Sequence, residues 1–188
     1  AFQSLPPRLQ QLLRATERPF VRITASRPDA PLPPAASRFG GVGYLPLGTT
    51  IPSGPDGDLR LLAQINFAEV NRAVGRVPEL PERGVLQIFI DPTDDVYGLD
   101  FGEPFPSTDG RYQVRFLPDD AAPIDQQLCA RAAQYAANDE HEMPVHHELA
   151  LRFAAASAGI TTADATAPSD LVPDGDIHAL LRNFAGAE

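Results

Sequence analysis

The stretch Arg38–Pro46, RFGGVGYLP, places three glycines directly before a Tyr-Leu-Pro segment. Glycine adopts positive φ angles and allows another backbone to approach closely, so this run predicts a tight turn that lets Phe39 and Tyr44 pack inward. The alternative is a cradle of backbone N–H groups for an anion. A Gly-x-Gly-x-x-Gly or P-loop pattern is absent, and Tyr44 follows where a helix should start. The pattern therefore favours the turn.

Strands are predicted on both sides of this turn. Val85–Ile90 is almost wholly apolar, which is typical of a central strand buried on both faces. Strict alternation in the segment after the turn would put Gln64 and Asn66 on one face with Arg60, and Leu61 on the other. The sheet is predicted from four strands: Phe20–Ala25, Leu59–Phe67, Val85–Ile90 and Tyr112–Phe116.

Helical spacing of apolar residues comes mostly later in the chain. Beyond a short N-terminal helix that opens at Ser4, the predicted helices are Ala68–Val74, Ile124–Ala137, His146–Ala158 and a last one from Asp174 or Asp176 through Phe184. Strands first and helices later favour an α+β fold over a doubly wound parallel sheet. We therefore expect a mixed, mainly antiparallel sheet with helices mostly in the C-terminal half.

Three further segments complete a family pattern with the glycine turn. They are LLAQINF at 61–67, GVLQIFID at 84–91 and YGLDF at 97–101. In this order and spacing, the four segments resemble the YwqG-like family of bacterial proteins over roughly residues 37 to 101. The resemblance implies one mixed α+β domain over residues 1–188, with no established reaction and no catalytic residues to transfer.

The resemblance carries two further implications. YwqG-like proteins are usually longer and continue with a glycine-rich loop and a second Leu-x-x-Gln-Ile-type strand, of which this sequence shows no copy. The chain is therefore expected to be naturally short or to lack the family's C-terminal part. Some YwqG-like proteins occur beside toxin systems, which suggests an immunity role.

The charge is distributed unevenly along a chain that carries −10 overall and contains no lysine. Residues 1–90 have ten arginines and seven acidic residues, whereas residues 91–188 have five arginines and eighteen acidic residues. Such an acidic half disfavours nucleic acid and favours a basic protein partner, although it also serves solubility alone. The predicted partner-binding residues are Asp94, Asp95, Asp139, Glu140, Glu142 and Glu148.

Polar residues near the glycine turn form a second candidate site. Buried amides need hydrogen-bond partners, so Gln64 and Gln87 either bind a ligand's polar edge or bond to the turn and hold it. The structural role is the more common one. The predicted ligand pocket comprises Arg38, Tyr44, Gln64, Asn66, Gln87 and Asp100.

Other chemistry finds little support in the sequence. His141 and Glu142 precede His146 and His147, but Pro144 interrupts the continuous helix that a His-Glu-x-x-His zinc site requires. The single cysteine, Cys129, excludes an internal disulfide and reads as a packing residue. We therefore expect no metal, no cofactor and no nucleophile of the Gly-x-Ser-x-Gly type.

These observations favour a non-enzymatic binding protein. No apolar run is long enough for a membrane span, and Ala1–Thr16 lacks signal-peptide features, so a cytoplasmic location is expected. The sharpest hypothesis is an immunity-type protein that masks a basic toxin with its acidic half. The alternative is a small-molecule-binding or hydrolytic enzyme with its site near Arg38, Tyr44, Gln64 and Gln87.

Overall fold

The computed structural model describes residues 7–96, 110–136 and 143–159. The chain divides into two compact units, of which one comprises residues 23–154 and the other residues 1–22 with 155–188. All the site geometry given below lies in residues 23–154. The helix predicted from Asp174 or Asp176 and the segment at 97–101 fall outside the described residues.

The fold is α+β, with a six-stranded sheet in which the order of strands is β1-β8-β2-β5-β6-β7. Every strand pair from β8 to β7 in that order is antiparallel, which confirms the predicted sheet class. A separate two-stranded sheet joins β3 to β4. The strands are β1 (Arg18–Ser26), β2 (Arg38–Phe39), β3 (Ser53–Gly54), β4 (Gly57–Asp58), β5 (Arg60–Asn66), β6 (Val85–Ile90), β7 (Tyr112–Leu117) and β8 (Leu149–Ala158).

The described helices are α1 (Pro7–Ala15), α2 (Phe67–Val74) and α3 (Gln126–Ala136). Asn66 ends β5 and caps α2, because its side-chain oxygen accepts a hydrogen bond from Ala68 N at 2.9 Å. Among the described helices only α3 lies in the C-terminal half. No helix in the described residues is long and apolar enough to cross a membrane.

β6 is an inner strand of the sheet, since it pairs with β5 on one side and β7 on the other, but it lies next to the edge strand β7 and not at the centre that the apolar run predicted. One face of β6 is well covered, and Val85 and Phe89 are 0% and 3% exposed there. The other face is covered less by the described residues: Val114 and Phe116 of β7 remain 53% and 44% exposed.

Strict alternation in β5 was the wrong prediction. The register with β6 shifts between Leu61 and Ala63, so that Leu61 lies opposite Phe89 while Gln64 lies opposite Gln87. Residues directly opposite in a sheet share a face, and the bulge therefore brings Leu61 to the same face as Gln64. This irregularity puts apolar and polar groups side by side under the glycine turn.

The predicted helix His146–Ala158 is also wrong, because Leu149–Ala158 forms β8. Its alanine-rich sequence has a high helix propensity, but pairing with β2 decides the outcome. Arg38 lies opposite Ala150, and Leu151 N donates to Ser37 O at 3.2 Å. Tertiary pairing thus overrides local preference in a strand that is partly buried.

The glycines at 40 and 41 both have positive φ, of 63° and 66°, which confirms the predicted turn. The space around them is also limited. A Cβ on Gly41 would lie 2.5 Å from Glu148 Oε2, and one on Gly40 would lie 3.0 Å from His147 O. The turn therefore needs glycine for its conformation and for its contact with the segment before β8.

We expect Gly41→Val to lower the free energy of unfolding by roughly 3 kcal/mol, from left-handed backbone strain and the clash with Glu148. The matched control is Gly48→Val, where φ is 83° and nothing lies within 4 Å of the added Cβ. Gly48→Val should lower the free energy of unfolding less, by about 1–2 kcal/mol, because only backbone strain contributes. Urea denaturation measures both, and equal losses would contradict the close packing of Gly41.

Candidate functional site

A pair of buried amides lies under the glycine turn. Gln64 of β5 and Gln87 of β6 are both 0% exposed and lie opposite each other in the sheet. Gln87 Nε2 donates to Gln64 Oε1 at 2.7 Å and to Tyr44 O at 2.9 Å. Tyr44 N donates to the same Gln64 oxygen at 2.6 Å. The two amides therefore bind the turn's backbone, which is the structural alternative considered for them.

Gln64 also holds the chain that leads into the turn. Its Nε2 donates to Pro34 O at 2.9 Å and to Ala36 O at 2.8 Å. Both carbonyls belong to residues before β2, outside the strand ladder, so a side chain supplies these bonds. One glutamine thus anchors the backbone on both sides of β2.

Asn66 and Ser37 extend this network toward α2. Asn66 N donates to Ser37 Oγ at 2.8 Å, and Asn66 Nδ2 donates to Ala35 O at 3.1 Å. Ser37 N donates to Glu69 Oε2 at 2.9 Å. The polar residues of this region are consequently occupied by contacts within the protein.

Arg38 and Glu148 form a partly buried ion pair beside the turn. Arg38 NH1 lies 2.5 Å from Glu148 Oε2, and the two side chains are 4% and 28% exposed. Arg38 also donates to the carbonyls of Val42 at 3.1 Å and Pro34 at 3.2 Å, and to that of Pro33. Burial lowers the pKa of Arg38, and the charge of Glu148 offsets part of that effect. Glu148 therefore has a structural partner within the chain.

Arg115 of β7 approaches the amide pair from the neighbouring strand. Its Nε donates to Gln87 Oε1 at 2.7 Å, and its NH1 donates to Thr50 O at 2.7 Å. The guanidinium lies 5.0 Å from the centroid of the Phe89 ring, a cation–π distance. Burial lowers the pKa of Arg115. Arg115 was not predicted as a site residue, because no neighbouring residue in the sequence indicates its contact with Gln87 on the adjacent strand.

A cavity of about 360 Å³ lies next to this network. Its described lining includes the turn residues 40–43, Leu59, Leu61 and Phe89, and the segment 143–148 in front of β8. Arg60 is among the described lining residues as well, and its buried NH2 nitrogen has no hydrogen-bond partner among the residues that the structure describes. The described lining does not include the predicted pocket residues Arg38, Tyr44, Gln64, Asn66 and Gln87, and Asp100 lies outside the described residues.

The predicted acidic surface is only partly described. Asp94 is partly exposed and Asp95 is exposed. They follow β6, while Asp91 at its end is buried and paired with Arg111 at 3.1 Å. Three predicted partner-binding residues lie outside the described residues, namely Asp139, Glu140 and Glu142.

No group of three or more metal-ligating side chains occurs in the described residues. His146 and His147 are exposed and border the cavity, while His141 lies outside the described residues. Burial, with a smaller contribution from Asp125, raises the pKa of the Cys129 thiol, which makes it a poor nucleophile at neutral pH.

The residues of the site from Ser37 through the amide pair to β8 lie within the part of the chain that matches a known family. The model of a domain of unknown function, DUF1963, matches residues 37–179. The chain belongs to the DUF1963 family. No curated protein matches the chain. The DUF1963 match includes the glycine turn, β5, β6 and β8, while the carbonyls of Pro34 and Ala36 that Gln64 binds lie just before it.

The amide network makes a direct prediction for this DUF1963 domain. Gln64→Leu should lower the free energy of unfolding by about 3 kcal/mol, because it leaves Tyr44 N buried without its acceptor and removes one of the two acceptors of Gln87 Nε2. Gln113→Leu on exposed β7 is the matched control and should change stability by less than about 0.5 kcal/mol. Urea denaturation of both variants measures the difference, and a tolerated Gln64→Leu would contradict the network's structural role.

Proposed function

We propose that the protein is a non-enzymatic binding protein of the YwqG-like type. The four sequence segments that resemble that family support the YwqG-like description, and they lie largely within the DUF1963 match. The binding function rests on one observation above all. The polar side chains near the turn are occupied by hydrogen bonds within the protein, and the described lining of the neighbouring cavity includes two histidines and a paired carboxylate but no serine, threonine, cysteine or lysine nucleophile.

The described lining of the cavity supports binding over catalysis. It contains no serine, threonine, cysteine, lysine or aspartate, and its carboxylate, Glu148, is paired with Arg38. Nucleophilic catalysis requires an activated nucleophile beside a base, and the described lining offers no such pair. Hydrolysis near Arg38, Tyr44, Gln64 and Gln87 is therefore the less favoured alternative.

For the partner, we propose a basic protein, with toxin neutralisation in the cytoplasm as the biological setting. The excess of acidic residues in the second half of the chain supports this. Charge complementarity would raise the association rate and the specificity, and bound protein would occlude the partner's surface. Asp94 and Asp95 would contribute with Asp139, Glu140 and Glu142, whereas Glu148 is engaged by Arg38.

Charge reversal tests this proposal. Tagged protein is used to capture partners from its native cells at low and high salt, and a stoichiometric basic protein that dissociates at high salt is expected. Glu140→Arg combined with Glu142→Arg should weaken that complex by at least about tenfold, because like charges then face the partner. Titration calorimetry with the purified partner measures the loss.

The matched control reverses two exposed carboxylates in the first half, Glu79→Arg with Glu82→Arg. It changes the net charge by the same amount and should leave affinity within about twofold at physiological salt, because distant surface charges are screened. Equal weakening by both double variants would show a general charge effect. Unchanged affinity in the Glu140/Glu142 variant would contradict the acidic-surface proposal.

A further inference from the structure

One edge of the main sheet has no neighbouring strand in the described part of the chain. β7 is the last strand in the order of the sheet, and it pairs with β6 on one side only. Its six residues pair with β6 in a regular register without a bulge, and they include no proline. Proteins usually protect such an edge with charged side chains, prolines or bulges, because its free backbone groups can pair with another strand. β7 is therefore an edge to which a further strand can add.

The ladder between β6 and β7 fixes which backbone groups of β7 point outward. Asp91 N donates to Arg111 O at 2.7 Å, and these two residues continue the register of the strand pair. Hydrogen-bonded and non-hydrogen-bonded pairs alternate along an antiparallel ladder, so every second residue after Arg111 directs its N–H and C=O groups to β6. The residues between them direct these groups to the free edge, and they are Tyr112, Val114 and Phe116.

The same three residues carry exposed apolar side chains. Tyr112, Val114 and Phe116 are 37%, 53% and 44% exposed, and they lie on one face of the sheet. Phe116 also contacts the ring of Phe67, with 6.0 Å between the ring centroids. The one charged side chain of β7, Arg115, lies on the other face and is hydrogen-bonded within the chain. Aromatic and β-branched residues are enriched in strands, so the side chains at this edge suit an added strand as well as the backbone does.

We propose that β7 pairs with β7 of a second copy of this chain, antiparallel, about a twofold axis at Val114. A twofold axis brings the same patch of both copies together, so the strand must be complementary to itself. In this register Val114 lies opposite Val114 of the second copy, and Tyr112 lies opposite Phe116 of the second copy. All three residues with outward backbone groups then form hydrogen-bonded pairs, which gives about six hydrogen bonds. This inference goes beyond the proposed basic partner and stands without it.

The side chains of β7 fit this register on both faces of the sheet. On the exposed apolar face, each Tyr112 meets a Phe116 ring, and aromatic pairs across strands are stabilising. On the other face, Gln113 lies opposite Arg115 of the second copy, so no two like charges of β7 are opposed. A shift by two residues would remove one hydrogen-bonded pair and leave one aromatic ring of each copy opposite no residue of β7. The register centred on Val114 is therefore the favoured one.

The net charge of the chain determines how this contact responds to salt. Each copy carries a formal charge of −10, so two copies repel each other at low salt. An edge of six residues also buries less surface than a standard protein interface, which places the dimer among the weak complexes. Salt screens the repulsion between the copies. Dimerisation should therefore strengthen as salt is added, which is the opposite of the response expected for the complex with a basic partner.

Sedimentation equilibrium of the full chain measures this association. We expect a monomer–dimer equilibrium with a micromolar Kd that falls at least about twofold between about 50 and about 500 mM sodium chloride. A chain that is still monomeric at about 500 µM protein would overturn the proposal, because even weak interfaces form dimers at that concentration. Growth into species larger than a dimer would also overturn it, since a twofold contact closes at two copies. So would association that weakens with added salt.

Two variants at the twofold axis test the register. Val114→Lys and Val114→Glu each place a charge opposite the same charge, so each variant alone should dimerise at least about tenfold more weakly. An equimolar mixture of the two should restore dimerisation to within about threefold of the unmodified chain, because opposite charges then face each other. Since Val114 is exposed, both variants should remain folded, which thermal unfolding checks.

Leu47→Lys is the matched control, because Leu47 is an apolar residue outside β7 that is 65% exposed. It adds the same charge as Val114→Lys and should leave the dimer Kd within about twofold. Equal weakening by these two variants would show a general charge effect and overturn the proposal. Undiminished dimerisation of both Val114 variants would overturn it as well, and so would a mixture of them that stays monomeric.

Discussion

The oxygen of one buried amide, Gln64 Oε1, accepts hydrogen bonds from Tyr44 N and from Gln87 Nε2. The nitrogen of the same side chain donates to the carbonyls of Pro34 and Ala36. Because this glutamine is fully buried, its loss would leave the Tyr44 amide without an acceptor and would remove one hydrogen bond each from Gln87, Pro34 and Ala36. The proline-rich entry to β2, the glycine turn after it and the inner strand β6 all depend on this one side chain.

Several features follow from that constraint. The turn must pass close over Gln87, and a Cβ on Gly43 would lie only 2.9 Å from Gln87 Nε2. β2 can therefore pair over just two residues before the chain turns away. The early end of β2 leaves Arg60 and Leu61 of β5 without a β2 residue beside them, and the cavity borders that part of β5. The contacts that make the polar network structural thus also decide where the cavity lies.

Much of the fold was predictable because it is encoded locally. The apolar run of β6, the glycine turn and the α+β class are direct consequences of residue type and period. β8 was not predictable in this way, because its alanines favour a helix and only the pairing of Ala150 with Arg38 makes it a strand. The bulge in β5 had no local signal either, and it changes which residues accompany Gln64.

The candidate site also has some features that the sequence predicts and others that it does not. Gln64, Gln87 and Arg38 were identified from sequence because buried polar residues in apolar strands require partners. Their partners were not identifiable, since the ion pair between Arg38 and Glu148 spans most of the chain's described length. Arg115 was missed because its contact with Gln87 joins two strands and is visible only in three dimensions.

The most direct test of this account is native-state hydrogen exchange of the Tyr44 amide. It lies in a loop, yet its N–H donates to a buried side chain and not to another strand. If Gln64 organises the fold, this amide should exchange only through global unfolding, with the same opening free energy as the amides of β6. Exchange of the Tyr44 amide through small local openings, at the rate of neighbouring loop amides, would contradict the claim that Gln64 organises the fold.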